Sequence, residues 1–137
     1  MESKVKAAVL VKPGHVEIRE FDMPALGKSS AICKVLMAGV CGTDKHSYRG
    51  ETVQYKGTEN EIDLPFPIIQ GHEIAMEIVA IDEEGARNLS FDGDYLQVGD
   101  RVTICPDVVC GNCWYCKNIP NYPWCEHLQF SYGNMRS

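Results

Sequence analysis

The sequence predicts an all-β domain with short helical turns, arranged as a partly open β-barrel rather than as a doubly wound sheet. Short apolar or alternating runs recur along the chain, and glycine and proline residues stop most of them. The polar segments between these runs give only brief helix signals. The cysteine-rich C-terminal part follows neither pattern.

The first two predicted strands form a β-hairpin. Residues 5–11 are a compact apolar run that stops at a Pro-Gly turn at 13–14. Residues 15–21 alternate between apolar and charged side chains, with Val16 and Ile18 on one face. Two such runs on either side of a tight turn are typical of paired antiparallel strands.

A third strand leads into a short helix. Residues 23–30 are predicted to be a loop because of their Pro, Gly and Ser content, and residues 31–37 a buried strand. Residues 42–44, Gly-Thr-Asp, offer a helix N-cap, so residues 45–48 are predicted to form one or two helical turns.

The second half of the chain alternates long polar loops with short strands. Residues 49–67 are predicted to be an irregular insertion, a type of loop often tied to function. The remaining predictions are a strand region at 68–81, an acidic loop at 82–94, a turn at 99–100, a strand at 101–105 and a cysteine-rich loop after Pro106.

The composition is ordinary for one soluble globular domain, with 45% hydrophobic and 23% charged residues among 137. The net charge of −6 disfavours binding to nucleic acid or to an anionic membrane surface. No apolar stretch approaches the ~20 residues that a membrane helix needs. Since no secretory signal is visible, we expect a cytoplasmic protein without nucleic-acid or membrane partners.

Four closely spaced cysteines predict a metal site. Cys110, Cys113, Cys116 and Cys125 follow the pattern Cys-x2-Cys-x2-Cys-x8-Cys. Four thiolates close a tetrahedral zinc shell and leave no position for water. We therefore predict that the segment of about 106–128, called the four-cysteine lobe below, is organised by zinc rather than by a hydrophobic core.

Two other interpretations of these cysteines stay open on the residues alone. Two disulfides are disfavoured by an odd total of seven cysteines and by the lack of an export signal. An iron–sulfur cluster is possible because Cys-x2-Cys-x2-Cys also begins bacterial cluster motifs. Those motifs place their fourth cysteine much closer than Cys125, so zinc is the favoured metal.

A second candidate metal site is split along the chain. Cys41 lies in residues 39–46, Gly-Val-Cys-Gly-Thr-Asp-Lys-His, and His72 in residues 71–73, Gly-His-Glu. Thiolate and neutral imidazole are natural zinc ligands. Each ends a predicted strand beside a glycine, where the backbone can approach another element closely. A core cysteine and a structural histidine remain the ordinary alternative.

These segments, together with Val-Gly-Asp-Arg-Val at 98–102 and the four-cysteine lobe, occur in an order that resembles the N-terminal catalytic domain of zinc-containing medium-chain alcohol dehydrogenases. The resemblance covers about residues 5–125, and four ordered motifs make it specific. It implies a chaperonin-10-like (GroES-like) β-fold, a catalytic and a structural zinc ion, and NAD or NADP as hydride acceptor.

The resemblance also implies roles for single residues. Cys41 and His72 match ligands of the catalytic zinc, and Glu73 matches the acidic residue beside that metal, which can enter its coordination shell. Thr43 matches the hydroxyl that takes the proton of the alcohol, and His46 matches the surface histidine that ends the proton relay.

Further matches concern the supporting groups. Asp44 matches the carboxylate that supports the histidine ligand and fixes its tautomer. The ligands implied for the structural zinc are Cys110, Cys113, Cys116 and Cys125. Relatives usually have seven residues between the third and fourth cysteines and this chain has eight, a departure that falls on Cys125.

A larger departure is that relatives take another catalytic-zinc ligand, and a dinucleotide-binding domain with a Gly-x-Gly-x-x-Gly turn, from sequence beyond this point. No such turn occurs in residues 1–137. We expect an incomplete catalytic domain that does not turn over by itself. It should hold zinc weakly at the Cys41/His72 site and firmly in the lobe.

The expected function is therefore that of a catalytic-domain fragment of a zinc-dependent NAD(P) alcohol or polyol dehydrogenase, homo-oligomeric when full-length. Its substrate would be a small alcohol, polyol or sugar, and the 49–67 loop is expected to border the substrate cleft. The alternative is a zinc-stabilised binding module that shares the fold without the chemistry, since fold alone does not give function.

The remaining cysteines and aromatic residues have simpler expectations. Cys33 is predicted to be a buried apolar residue, and Cys105 to have a structural role. The aromatic residues of the four-cysteine lobe are expected to form either a small core over the metal or a subunit contact; they are Trp114, Tyr115, Tyr122 and Trp124.

Overall fold

Two three-stranded antiparallel sheets carry most of the regular structure in this computed structural model, which describes residues 4–54, 56–58, 61–119 and 124–133. The fold is mostly β with short helices, as predicted, and within these ranges the sheets do not close into a barrel. The strands are β1 (Lys4–Lys12), β2 (His15–Asp22), β3 (Ala31–Ala38), β4 (Val53–Gln54), β5 (Ile62–Asp63), β6 (Ile68–Ile69), β7 (Ile74–Ile81), β8 (Arg101–Val102), β9 (Asp107–Val108) and β10 (Phe130–Ser131). The helices are α1 (Gly42–Tyr48), α2 (Glu83–Asn88) and α3 (Trp114–Asn118).

The first sheet has the order β2-β1-β6 and contains the predicted hairpin of β1 and β2. Its turn uses Gly14 at a φ of 74°, a conformation that favours glycine. Val9 and Leu10 of β1 are buried in the core. Val16 and Ile18 are 47% and 69% exposed, so the described residues leave the apolar face of β2 uncovered.

The second sheet has the order β3-β7-β8, with Ile78 of the central strand fully buried. The prediction of a buried strand at 31–37 is wrong for the second half of β3, where Val35, Leu36 and Met37 are exposed. Because consecutive side chains of a strand point to opposite faces of the sheet, the exposure of these three residues means that the described residues cover neither face at this end of β3.

Helix α1 begins with a cap that differs from the prediction. Cys41, rather than the 42–44 segment, is the N-cap residue: its Sγ accepts a hydrogen bond from the N–H of Thr43, and its own N–H donates to the Asp44 carboxylate. This reciprocal arrangement satisfies two backbone donors at the helix start. Among the described residues no helix is long and apolar enough to cross a membrane.

The acidic loop predicted at 82–94 contains helix α2, so that prediction is wrong for its first half. The Asp82 carboxylate caps α2 by accepting from the N–H of Gly85, and it also accepts from the N–H groups of Ser29 and Ser30. The signal was a capping aspartate followed by two glutamates. Gly85 is a poor helix former, so its presence argued against a helix in this segment.

The long 49–67 loop is irregular where it is described, apart from the short β4–β5 pair. The strand predicted at 101–105 is only Arg101–Val102. The antiparallel pair β9–β10 brackets the four-cysteine lobe and brings its two ends together. The acidic residue Glu59, together with Tyr122 of the lobe, falls outside the described residues.

Candidate metal centres

The four thiols of the four-cysteine lobe meet in space. The Sγ atoms of Cys110, Cys113, Cys116 and Cys125 all lie within 4.8 Å of one another, and all seven cysteines are free. The Cys113 and Cys116 sulfurs are 3.4 Å apart, and those of Cys110 and Cys116 are 4.0 Å apart. Tetrahedral zinc with bonds of about 2.3 Å separates its sulfurs by about 3.8 Å, so the four thiols fit such an ion.

The environment splits the acidity of these thiols. The N–H groups of Cys116 and Glu126 lower the pKa of Cys113 to about 6, and those of Asn112 and Cys113 lower the pKa of Cys110. Burial raises the pKa of Cys116 to about 12, and the neighbouring Cys113 adds to that rise. Some of these crowded thiols therefore ionise readily while a neighbour resists ionisation. A bound cation would neutralise the thiolates and favour the loss of the remaining protons.

Cys125 joins the cluster despite the extra residue before it. Its Sγ accepts hydrogen bonds from the N–H groups of Cys110, at 3.2 Å, and His127, at 3.3 Å. Cys113 is the N-cap of α3, and this short helix turns Cys116 back toward the other thiols. The spacer residues 120–123 lie outside the described ranges.

Within the described part of the lobe, the aromatic side chains do not form the small core over the metal that was one of the two expectations. Trp114 and Tyr115 pack edge to face, with ring centroids 5.2 Å apart. Trp114 and Trp124 are nevertheless 60% and 61% exposed. The predicted burial of Cys33 is likewise only partial, and Cys105 is exposed.

Three candidate ligands also meet at the second site. The Sγ of Cys41 lies 3.3 Å from Nε2 of His72, and one possible ligand atom from each of Cys41, His72 and Glu73 lies within 4.8 Å of the other two. Cys41 is held at the start of α1, while His72 and Glu73 come from the link between β6 and β7. A thiolate, an imidazole and a carboxylate are ligands that zinc accepts, and three of them leave a fourth position open.

Residues next to Cys41 support this arrangement. The Thr43 N–H donates to Cys41 Sγ at 3.2 Å, which holds that sulfur at the start of α1. Asp44 is buried; its Oδ2 accepts from the Cys41 N–H at 2.9 Å. Its Oδ1 is buried and has no hydrogen-bond partner among the described residues. An unmet carboxylate oxygen is the kind of acceptor that the second ring N–H of a metal-binding histidine uses.

Glycines allow the segments of this site to approach each other. The Gly39 N–H donates to the Glu73 carbonyl oxygen at 2.7 Å. A Cβ atom at position 39 would lie 2.6 Å from Glu73 Oε2 and 3.1 Å from its Cβ. The predicted role of glycine at these strand ends therefore has a geometric counterpart at Gly39.

His46 stands apart from the three ligands, on the exposed side of α1, and its Nδ1 contacts the carboxylate of Glu51. Sequence reasoning missed Glu51. Its signal is weak: an acidic residue five positions after the histidine, placed by a turn through Gly50.

Two open clefts flank the Cys41/His72/Glu73 site. One, of about 460 Å³, reaches His72 and Glu73 directly and is bordered by Met37 and Thr103. The other, of about 490 Å³, is mainly apolar. It runs along α1, where Asp44 and Tyr48 line it. The first cleft gives a small molecule access to two of the three candidate ligands.

Comparison with known proteins places these features in a family. The chain is 32% identical to sorbitol dehydrogenase of Bacillus subtilis over 126 residues, which are 92% of this chain and 31% of that protein. It is 34% identical to L-threonine 3-dehydrogenase of Thermococcus kodakarensis over 131 residues, 94% of this chain and 33% of that protein. The chain thus spans about a third of the length of the curated relatives that it matches.

Solved structures give the same result for the fold. An alcohol dehydrogenase from Thermotoga maritima superimposes with a TM-score of 0.76 at 31% identity, covering 98% of this chain and 33% of that one. A putative zinc-binding dehydrogenase from Sinorhizobium meliloti, bound to NADP, does so with a TM-score of 0.72 at 26% identity, covering 99% and 34%. The model of the alcohol dehydrogenase GroES-like domain family matches residues 27–135. The chain belongs to the family of alcohol dehydrogenase GroES-like domains.

Proposed function

We propose that this chain is the catalytic-domain part of a zinc-dependent NAD(P) alcohol or polyol dehydrogenase. The observation that carries the proposal is the approach of Cys41 Sγ to His72 Nε2 at 3.3 Å, with Glu73 beside them. Alcohol dehydrogenase is known to use a Cys2His catalytic zinc site. Cys41 and His72 would supply two ligands of that set. Glu73 would lie beside the metal and could enter its coordination shell.

The chain's own residues would bind the alcohol and move its proton. When bound, zinc supplies the Lewis acidity that makes an alcohol hydroxyl more acidic, and a nicotinamide cofactor supplies the hydride acceptor. Thr43, half-buried beside Cys41, would accept the proton at its hydroxyl and pass it outward. His46, exposed on the same short helix, would deliver it to solvent.

The four-cysteine lobe would have a structural role. Its four thiols form a closed set of zinc ligands, which leaves no position for a substrate. The exposed Trp114 and Trp124 favour a subunit contact in a homo-oligomer of the full-length protein. These features belong to stability and assembly rather than to the reaction.

The substrate class is a small alcohol, polyol or sugar. Relatives include dehydrogenases named for sorbitol and for L-threonine, which share a secondary hydroxyl beside other polar groups. The cleft of about 460 Å³ at His72 and Glu73 has room for a molecule of that size. We also propose a cytoplasmic location and either NAD or NADP as the cofactor.

The test uses the protein at its natural full length with a panel of alcohols, polyols and sugars and with both cofactors. We expect NAD(P)H formation that Cys41→Ala and His72→Ala each abolish and that Cys105→Ala, at an exposed cysteine that belongs to neither cluster of candidate ligands, leaves intact. The 137-residue chain alone should show no turnover. Full activity in Cys41→Ala would overturn the proposal.

The alternative is a zinc-stabilised binding module without chemistry, which the closed four-thiol site favours because that site can hold the fold together by itself. It predicts a full-length protein that binds zinc in the lobe and oxidises nothing on the panel with either cofactor. The two proposals are therefore separated by the same assay.

A further inference from the structure

The Glu51 carboxylate contacts His46 through one particular ring nitrogen. The contact joins Glu51 Oε2 to Nδ1 and leaves Nε2 on the opposite side of the ring. We propose that Glu51 is a positioning residue, which fixes the His46 ring in the Nδ1–H tautomer and so presents Nε2 as the atom that accepts a proton. The proton that Nε2 accepts is the one described under the proposed function, on which this inference rests.

A turn in the backbone brings Glu51 back to His46. The N–H groups of Arg49 and Glu51 both donate to the carbonyl oxygen of His46, at 3.1 Å and 3.0 Å. Between them, Gly50 adopts a φ of 87°, which favours glycine, and its N–H donates to the Ser47 carbonyl oxygen at 3.1 Å. The carboxylate therefore reaches the ring through a hydrogen-bonded turn rather than through a free loop.

Helix α1 is itself anchored, so the ring and the turn share one base. The Tyr48 carbonyl oxygen accepts from the N–H of Gly14 in the β1–β2 turn at 2.8 Å. Ser47 is fully buried, and its hydroxyl donates to the Thr43 carbonyl oxygen at 2.9 Å. Thr43, the proposed donor of the proton, and His46, its proposed acceptor, thus belong to one fixed element.

The chemistry of the pair decides the tautomer. An ionised carboxylate only accepts hydrogen bonds, so Nδ1 must carry the proton and Nε2 of the neutral ring must carry the lone pair. Without such a partner, neutral imidazole in water favours the other tautomer, with the proton on Nε2.

The same chain contains a matched control. His15 also pairs with a nearby carboxylate, but through Nε2, which lies 3.0 Å from Glu17 Oε1. This pair lies on β2 and shares no hydrogen bond with His46 or Glu51, and hydrogen bonds from His15 and Arg19 lower the pKa of Glu17. His15 is therefore expected to carry its proton on Nε2, opposite to His46.

The His46–Glu51 pair is too exposed to be explained by a contribution to stability. The two side chains are 55% and 57% exposed, and an ion pair of that exposure adds little to stability. A purely structural pair would therefore leave both stability and catalysis unchanged when removed. A positioning role predicts a change in the ring and in the rate instead.

The test measures the ring nitrogens by 15N NMR in the 137-residue chain. The pH is set high enough that the ring signals no longer change with pH. The signals of His46 are assigned by their loss in His46→Gln. We expect the Nδ1–H tautomer at His46 and the Nε2–H tautomer at His15 in the same spectrum. In Glu51→Ala, His46 should change to Nε2–H, whereas Glu17→Ala should leave His46 unchanged.

The outcomes are decisive because Glu51 is exposed and its replacement should not unfold the chain, which the amide spectrum verifies. An Nε2–H tautomer at His46 in the wild type, or the same tautomer with and without Glu51, overturns the inference. In the natural full-length enzyme, Glu51→Ala should lower kcat roughly tenfold with little change in KM, less than the 10²–10⁴-fold that general acid–base catalysis contributes. If the wild-type enzyme oxidises nothing while the ring signals behave as expected, the proposed function fails and the positioning of His46 by Glu51 stands.

Discussion

The backbone of Gly133 packs directly on the backbone of Gly71. A Cβ atom at position 133 would lie 2.6 Å from the carbonyl carbon of Gly71 and 2.8 Å from its nitrogen. Gly71 immediately precedes His72, so the segment that leaves the four-cysteine lobe sets the position of the histidine at the second site. A contact between two glycines therefore joins the segment after the four-cysteine lobe to the segment that carries His72.

Gly133→Ala should destabilise the chain and displace His72. Its φ of 76° already costs a side chain about 1–2 kcal/mol, and the clash with Gly71 adds about 1–3 kcal/mol. The matched control is Gly93→Ala, at a φ of 80° with nothing within 4 Å of the added Cβ. Urea unfolding measures both variants, and equal losses of stability would contradict the packing described here.

Gly39→Ala should weaken metal binding at the Cys41/His72 site. The added Cβ would push the Glu73 carboxylate away, because it would lie 2.6 Å from Oε2. We expect the dissociation constant for Co2+, read from its visible absorption, to rise about tenfold. Gly42→Ala is the control, since nothing lies within 4 Å of its Cβ. The same affinity in both variants would mean that Glu73 does not take part in binding.

Asp82→Asn should reduce stability at neutral pH but not in acid. Burial acts to raise the pKa of Asp82, but hydrogen bonds from the N–H groups of Ser29, Gly85 and Ser30 outweigh it and lower the pKa below 3.8. The carboxylate therefore contributes stability above pH 3.8, and that contribution is lost as the pH falls through the lowered pKa.

Thermal melts at a series of pH values test this sign. The difference in melting temperature between wild type and Asp82→Asn should shrink as the pH drops below 3.8. Asp92→Asn, on an exposed loop, is the control and should show no such trend. A difference that grows in acid would contradict the hydrogen bonds assigned to Asp82.

Local spacing made parts of the molecule predictable. The short helix was predictable because residues 42–44 offer a cap, although the N-cap is Cys41, whose reciprocal partner Asp44 lies three residues later. The four cysteines are also close in sequence, so their meeting needs little more than one loop and α3. The resemblance to a family then joined His72 to Cys41, which lies 31 residues away and which no local pattern connects to it.

Features that depend on distant neighbours were missed. Gly85 looks like a helix breaker, but a Cβ there would lie 2.8 Å from the Ser30 carbonyl oxygen, so close packing requires glycine inside α2. The alternation in β2 gave the correct strand without indicating that Val16 and Ile18 would be exposed. Burial is decided by which elements cover a face, and the sequence of one strand does not contain that information.

We propose that one chain carries a closed four-thiol zinc site and an open site of different affinity, and zinc counting tests this proposal most directly. The 137-residue chain is dialysed against a zinc chelator, and the bound zinc is measured for wild type, Cys125→Ser and Cys41→Ser. We expect one tightly held ion per chain, lost in Cys125→Ser and kept in Cys41→Ser, because four thiolates bind zinc more firmly than the incomplete second site. Two tightly held ions in the wild type, or a single ion that depends on Cys41 instead of Cys125, would contradict the account.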